Sequence, residues 1–163
     1  MIAPFEAMEH AAMYLANAKR LTLAGAEKMC AGVIAGAQAQ GLAVCVVVVD
    51  AGGHVILAKR MDGGRFHTMH SATTKAVSAA SNKRITTTKG AVGQDLDTGH
   101  ALGLALAAGA QNWTAMEGGA PVIVEGECIG GVGVSGGSWS ADAALAQAGV
   151  EAIGAAVQID AKP

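Results

Sequence analysis

Residues 121–149 read PVIVEGECIGGVGVSGGSWSADAALAQAG. The stretch opens with a β-branched run, Pro121–Glu125. A two-residue turn at Gly126-Glu127 leads into a second run, Cys128–Val134, so the pair reads as a hairpin. The second run ends in the small-residue corner Ser135-Gly136-Gly137, and an alanine-rich helix follows at once, expected from about Ser140 to Val157. Ser138 or Ser140 can cap that helix, and Asp142 falls in its first turn. The first N–H groups of a helix have no internal partner. Gly136 and Gly137 would let a ligand oxygen approach them, which makes a carboxylate or phosphate cradle. The alternative is a tight strand-to-helix corner that needs glycine for steric reasons alone.

Working outward, the same pattern recurs upstream. Leu42–Asp50 is a continuous β-branched strand, Asp50-Ala51-Gly52-Gly53 is a turn, and Val55–Arg60 is the return strand. Before it, Phe5–Gln40 has helical periodicity and divides into two helices near Arg20–Thr22, the second ending at Gly41. Between the hairpins a helix is expected from about Thr68 to Ser81. Asn82–Leu96 is then a polar loop, and Asp97–Ala110 a short glycine-bearing helix. Hairpin-joined strands imply an antiparallel sheet with helices packed on it, an α+β fold. No linker or repeat divides the chain, so residues 1–163 are expected to form one domain.

Composition narrows the function. Hydrophobic residues make up 52% of the chain and charged residues 15%, with 23 glycines. So aliphatic a chain suggests apolar surface buried between subunits, and a homo-oligomer is expected. The net charge of −2 with no basic cluster argues against nucleic-acid binding. The three cysteines, Cys30, Cys45 and Cys128, are widely spaced and fit a reducing compartment. No apolar stretch reaches membrane-spanning length, and the N-terminus lacks a signal-peptide pattern, so a cytoplasmic location is expected.

Four co-linear motifs, VVVDAGGHVILAKRMDG, TTKAVSAA, EGGAPVIVEGECIGGVGVSGG and DAALAQAG, resemble the GlcG/HbpS-like family. That family includes the C-terminal domain of PduO-type cobalamin adenosyltransferases. The resemblance runs from about Gly41 to Gly154. It implies a profilin-like fold, a central antiparallel sheet flanked by helices in α/β/α layers, and assembly into dimers and higher rings. Several relatives bind haem, and others accompany enzymes that degrade small organic acids. Relatives often carry Pro or Leu before the Gly-Gly of the second hairpin, where this chain has Glu117.

The chemistry-bearing residues cluster after the first hairpin. His67 and His70 stand at i and i+3, on one face of a helix, with Arg65 just before them. Each histidine can move a proton near neutral pH, ligate iron, or sit inertly on a helix surface. Arg65 can clamp a carboxylate bidentately or pair with Asp62. Lys75 is an anion partner, a buried charge under the sheet, or a solvated lysine. His67 and His70 could hold a metal with Glu117 as third ligand, but HxxH alone is not a strong zinc signature and no carboxylate close in sequence completes it, so no metal site is expected.

Two functional classes follow. The first is a catabolic enzyme without an organic cofactor, acting on a small carboxylated intermediate by hydrolysis, deamination or isomerisation. In it His67, His70 and Glu117 are catalytic, and Arg65, Lys75, Gly118, Gly119, Gly136, Gly137 and Ser138 bind substrate. The second, carried mainly by the resemblance, is a haem-binding or redox-sensing protein with a histidine ligand in an intersubunit groove. The residues lean toward the enzyme, because Phe5, Phe66, Tyr14, Trp113 and Trp139 are the only aromatic side chains available to line a haem pocket.

Overall fold

Alternation along Cys45–Asp50 organises the molecule, whose computed structural model describes residues 14–159. The elements are α1 (Leu23–Ala39), β1 (Cys45–Asp50), β2 (Val55–Arg60), α2 (Phe66–Asn82), α3 (Thr98–Ala108), β3 (Gly119–Val124), β4 (Glu127–Ser135) and α4 (Trp139–Glu151). The strands form one antiparallel sheet in the order β2-β1-β4-β3. Successive β1 side chains point to opposite faces. Val46 and Val48 join the core beneath α1 and α4, while Cys45, Val47 and Val49 pack against α2. Both faces are therefore covered, which gives α/β/α layers. Each fully buried valine contributes about 1.5–3 kcal/mol.

Glycine decides how α2 sits. In β4, Val132 and Val134 face the α1/α4 core, and Gly131 and Gly133 alternate with them toward α2. A Cβ at Gly133 would overlap the Ala72 carbonyl oxygen, and one at Gly131 the Ala76 carbonyl oxygen. The helix answers with Ala72, Ala76 and Ala80, spaced at four residues. Backbone thus lies on backbone, and the seam explains why a chain this poor in large side chains still closes its core. The opposite sheet edge, β2, is mostly exposed and ends in Lys59 and Arg60, charges that discourage edge-to-edge pairing.

The helix caps are local. Thr22 Oγ1 accepts from Gly25 N at 3.1 Å at the start of α1. Asp97 accepts from His100 N at 2.8 Å at α3. Ser138, not Ser140, caps α4, accepting from Ala141 N at 3.2 Å.

Several boundaries differ from the sequence expectation. The second hairpin turns at Glu125-Gly126, one residue earlier than expected, with φ of +51° and +80°. Two positive φ values are what a primed two-residue turn requires, and Glu125 tolerates its value while paired with Lys19 at 2.7 Å. The last helix ends at Glu151 rather than Val157, because the chain turns at Gly154 (φ +74°) and Ala156 bridges to Ile123 beside β3. Helix α2 begins at Phe66, two residues early. The first expected helix, from Phe5, lies mainly outside the described residues, and residues 15–22 are not helical.

Candidate functional site

Lys75 and Asp142 are the two charges the fold buries most deeply. Lys75 lies on the sheet side of α2, and Asp142 in the first turn of α4. Lys75 Nζ donates to Asp142 Oδ2 at 3.0 Å and to the Val134 carbonyl at 2.8 Å. Both side chains are 3% exposed. Asp142 Oδ1 accepts from Gly137 N at 2.9 Å. The pair therefore ties the middle of α2 to the end of β4 and the start of α4. Among the described residues no buried side-chain nitrogen or oxygen lacks a partner. A buried carboxylate and ammonium persist only when paired and hydrogen-bonded in this way.

The glycines predicted to bind substrate crowd this pair. Gly118 has φ +111°, and a Cβ there would stand 2.8 Å from Asp142 Cβ and 3.0 Å from Lys75 Nζ. A Cβ at Gly119 would overlap the Lys75 carbonyl oxygen, and its N–H donates to Thr86 Oγ1 at 2.8 Å. Gly136 has φ +146°, and a Cβ there would meet the Ala43 carbonyl oxygen at 2.7 Å. Each glycine thus has a steric reason to be present. At Gly137 the N–H is already taken by Asp142, so the chain's own carboxylate fills that part of the predicted cradle.

Two of the grooves on the described surface are lined by predicted site residues. Glu117, Gly137, Ser138, Trp139 and Ser140 line the first, of ≈ 540 Å³, at the N-terminus of α4. The second, of ≈ 410 Å³, runs between α2 and α3. His70 and Thr74 border it from α2, Ala101 and Ala105 from α3, and Trp113 and Met116 from the segment after α3. Both volumes fall within the about 300–1,000 Å³ of small-molecule sites.

The predicted catalytic set is spread between them. Glu117 lines the first groove and His70 the second, while His67 lines neither. His67 and His70 are both exposed at the start of α2. Arg65 is exposed at the N-cap position of α2 and makes no ion pair with Asp62; its carbonyl accepts from Thr68 Oγ1 at 2.6 Å. Among the described residues no three His, Cys, Asp or Glu side chains gather as a metal site.

Met116 does not stand out in the sequence, and Trp113 does so only as one of five aromatic side chains. Their signal is weak: a thioether and an indole in a polar stretch acquire meaning only when the chain folds them beside His70. Asp142 was read only as a first-turn carboxylate, because its partner is 67 residues away. His54 and His100 close local structure. Asp50 Oδ1 accepts from Gly52 N at 2.8 Å and His54 N at 3.0 Å in the turn after β1. His100 Nδ1 lies 2.7 Å from Asp97 Oδ2.

An antiparallel sheet between helix layers, with a buried ion pair at the glycine corner and a histidine-bordered groove, defines a small α+β protein. The chain belongs to the HbpS-like family, whose family model, described as haem degrading protein HbpS-like, matches residues 21–151. Protein ORFY of Klebsiella pneumoniae has the same fold at TM-score 0.73, with 36% identity over 85% of this chain and 94% of that one. A PduOC–haem complex matches at TM-score 0.73 and 26% identity, over 86% of this chain and 99% of that one. A double mutant of HbpS from Streptomyces reticuli matches at TM-score 0.73 and 29% identity, over 86% and 92%. An uncharacterized 15.0 kDa protein of the dhaT–dhaS intergenic region of Citrobacter freundii is 35% identical over 132 residues, 80% of this chain and 90% of its own length. These relatives favour the haem-binding reading over the catalytic one. Among the described residues no helix is long and apolar enough to cross a membrane.

Proposed function

We propose that this protein binds haem in the groove between α2 and α3, where His70 would hold the iron. One observation carries the reading: His70 borders a groove whose other walls are largely apolar, including Ala101, Ala105, Trp113 and Met116. An imidazole is a common donor to haem iron and the ring needs an apolar bed, and this groove supplies both. Met116 lines the same groove, and its thioether is a second candidate ligand. When bound, haem would supply an iron centre for ligand or electron chemistry. The protein's own contribution is to orient the ring by His70, exclude water along the alanine wall, and set polarity through Thr74. The fold match to a haem complex supports the assignment.

The small-carboxylate reading keeps one favourable observation, the Glu117 carboxylate beside Ser138 at the N-terminus of α4. It is the weaker of the two, because its expected proton carriers, His67 and His70, do not line that groove.

Absorption titration with haem tests the first reading. The expected result is a saturable, equimolar Soret shift that is lost in His70→Ala and kept in His67→Ala. An unchanged shift in folded His70→Ala would overturn the ligand assignment. Absence of any saturable shift, with heat released on adding small dicarboxylates, would transfer the function to the Glu117 groove.

A further inference from the structure

A third pocket, of ≈ 270 Å³, opens where the segment leading into α1 meets the turn between β1 and β2. Arg20 and Leu21 line it from that segment, Asp50 from the end of β1, Ile56 from β2 and Ile129 from β4. It shares no residue with the His70 groove or the Glu117 groove. Its size falls just under the about 300–1,000 Å³ of drug-sized sites, so it suits a ligand of few heavy atoms.

The lining divides into held groups and open ones. Lys19 is held: its Nζ lies 2.7 Å from Glu125 Oε2, and its N–H donates to Glu127 Oε2 at 3.4 Å. Leu21, Ile56 and Ile129 pack against the core and give the pocket an aliphatic lining. Arg20 is open, because among the described residues its guanidinium makes no ion pair and no hydrogen bond. Asp50 is half held. Its Oδ1 accepts from Gly52 N at 2.8 Å and His54 N at 3.0 Å, while Oδ2 has no partner among the described residues. Those backbone donors favour the ionised carboxylate. One unpaired cation and one carboxylate oxygen thus border an aliphatic pocket, and both can be engaged without breaking a contact of the fold.

This combination selects its ligand. A simple anion would meet Arg20 but be repelled by Asp50, and a simple cation would meet the reverse. A molecule that carries both charges satisfies both groups. We infer that the pocket binds a small aliphatic zwitterion, an α-amino acid with a branched hydrocarbon side chain. Its carboxylate pairs with the Arg20 guanidinium, whose planar fork suits two carboxylate oxygens. Its ammonium donates to Asp50 Oδ2, and its side chain rests on Leu21, Ile56 and Ile129. The inference stands whether or not haem occupies the His70 groove, since the two sites share no residue.

Isothermal titration calorimetry of the full chain, without haem, is the test. The probe is L-leucine, and isocaproate and isoamylamine are the analogues that each lack one of its two charges. L-leucine is expected to saturate at one molecule per chain, and each analogue to bind weaker by about tenfold or more. Arg20→Gln is expected to weaken L-leucine to the level of isoamylamine. Asp50→Asn keeps an oxygen for the Gly52 and His54 N–H groups, and is expected to weaken L-leucine to the level of isocaproate. Circular dichroism and the urea midpoint establish that each variant is folded. Arg20→Gln removes no contact within the fold, so it decides the matter even if Asp50→Asn unfolds. No saturable heat with L-leucine would overturn the inference. So would an analogue that binds as tightly as L-leucine, or L-leucine affinity unchanged in a folded variant.

Discussion

Lys75→Met removes the cation of the buried pair and keeps the stem volume. Asp142 is then left 3% exposed with one remaining donor, Gly137 N at 2.9 Å, and the Val134 carbonyl loses its 2.8 Å partner. Removing one member of a buried pair costs about 3–5 kcal/mol, because the other charge stays behind unpaired. For a chain of this length, about 2–4 °C of melting temperature per kcal/mol gives a fall of about 6–20 °C. Removing both charges is different. Lys75→Met with Asp142→Leu leaves no buried ion, and its main costs are the Gly137 N–H and the Val134 carbonyl, which both lose a side-chain partner. Replacement of a whole buried pair by apolar groups is often near neutral. The double variant should therefore be more stable than Lys75→Met, with a coupling of about 2 kcal/mol or more. Urea unfolding of the four proteins in the cycle, with unchanged slopes, measures it. A Lys75→Met variant within about 1 kcal/mol of wild type, or a double variant no better than the single, would refute the reasoning.

Gly133→Ala should destabilise by more than about 4 kcal/mol or prevent folding, since its Cβ overlaps the Ala72 carbonyl oxygen; a small change in the urea midpoint would show that α2 can lift off β4. The backbone N–H of His54, with that of Gly52, holds the Asp50 carboxyl below its usual range. The stability this contributes is full above about pH 4 and is lost as pH falls through the depressed folded value. The gap between wild type and Asp50→Ala in urea should shrink below that pH, and by little in absolute terms because Asp50 is partly exposed. Burial pushes the Cys30 thiol up to about 11. Its thiol should resist alkylation at pH 8 until the chain unfolds, and the stability it contributes should hold to about pH 9 and fall as pH rises further. Rapid labelling of Cys30 in the native state, mapped by mass spectrometry, would contradict its burial.

Much of the fold could be read from residue order, because its determinants are local. The alternating Val46–Val49 run, the Asp50-Ala51-Gly52-Gly53 turn and the Ser138 cap act within a few residues, so both hairpins and α4 are legible as written. The four motifs placed the chain in its family, and the HbpS-like match over residues 21–151 agrees. Boundaries slipped where distant contacts intervene: α4 stops at Glu151 because Ala156 must reach Ile123. The site was harder to read for the same reason. The types His70, Lys75, Glu117 and Gly137 stood out, but their grouping did not. Lys75 meets Asp142 across 67 residues, and His70 shares a groove with Met116 rather than with Glu117. Sequence order determined the two hairpins, most of the helices and the family, since turn chemistry and side-chain alternation are properties of neighbours, while the β1–β4 pairing that joins the hairpins is non-local. Only the tertiary structure decided which charges are buried and which glycines carry backbone contacts, because burial depends on what the rest of the chain brings against each residue.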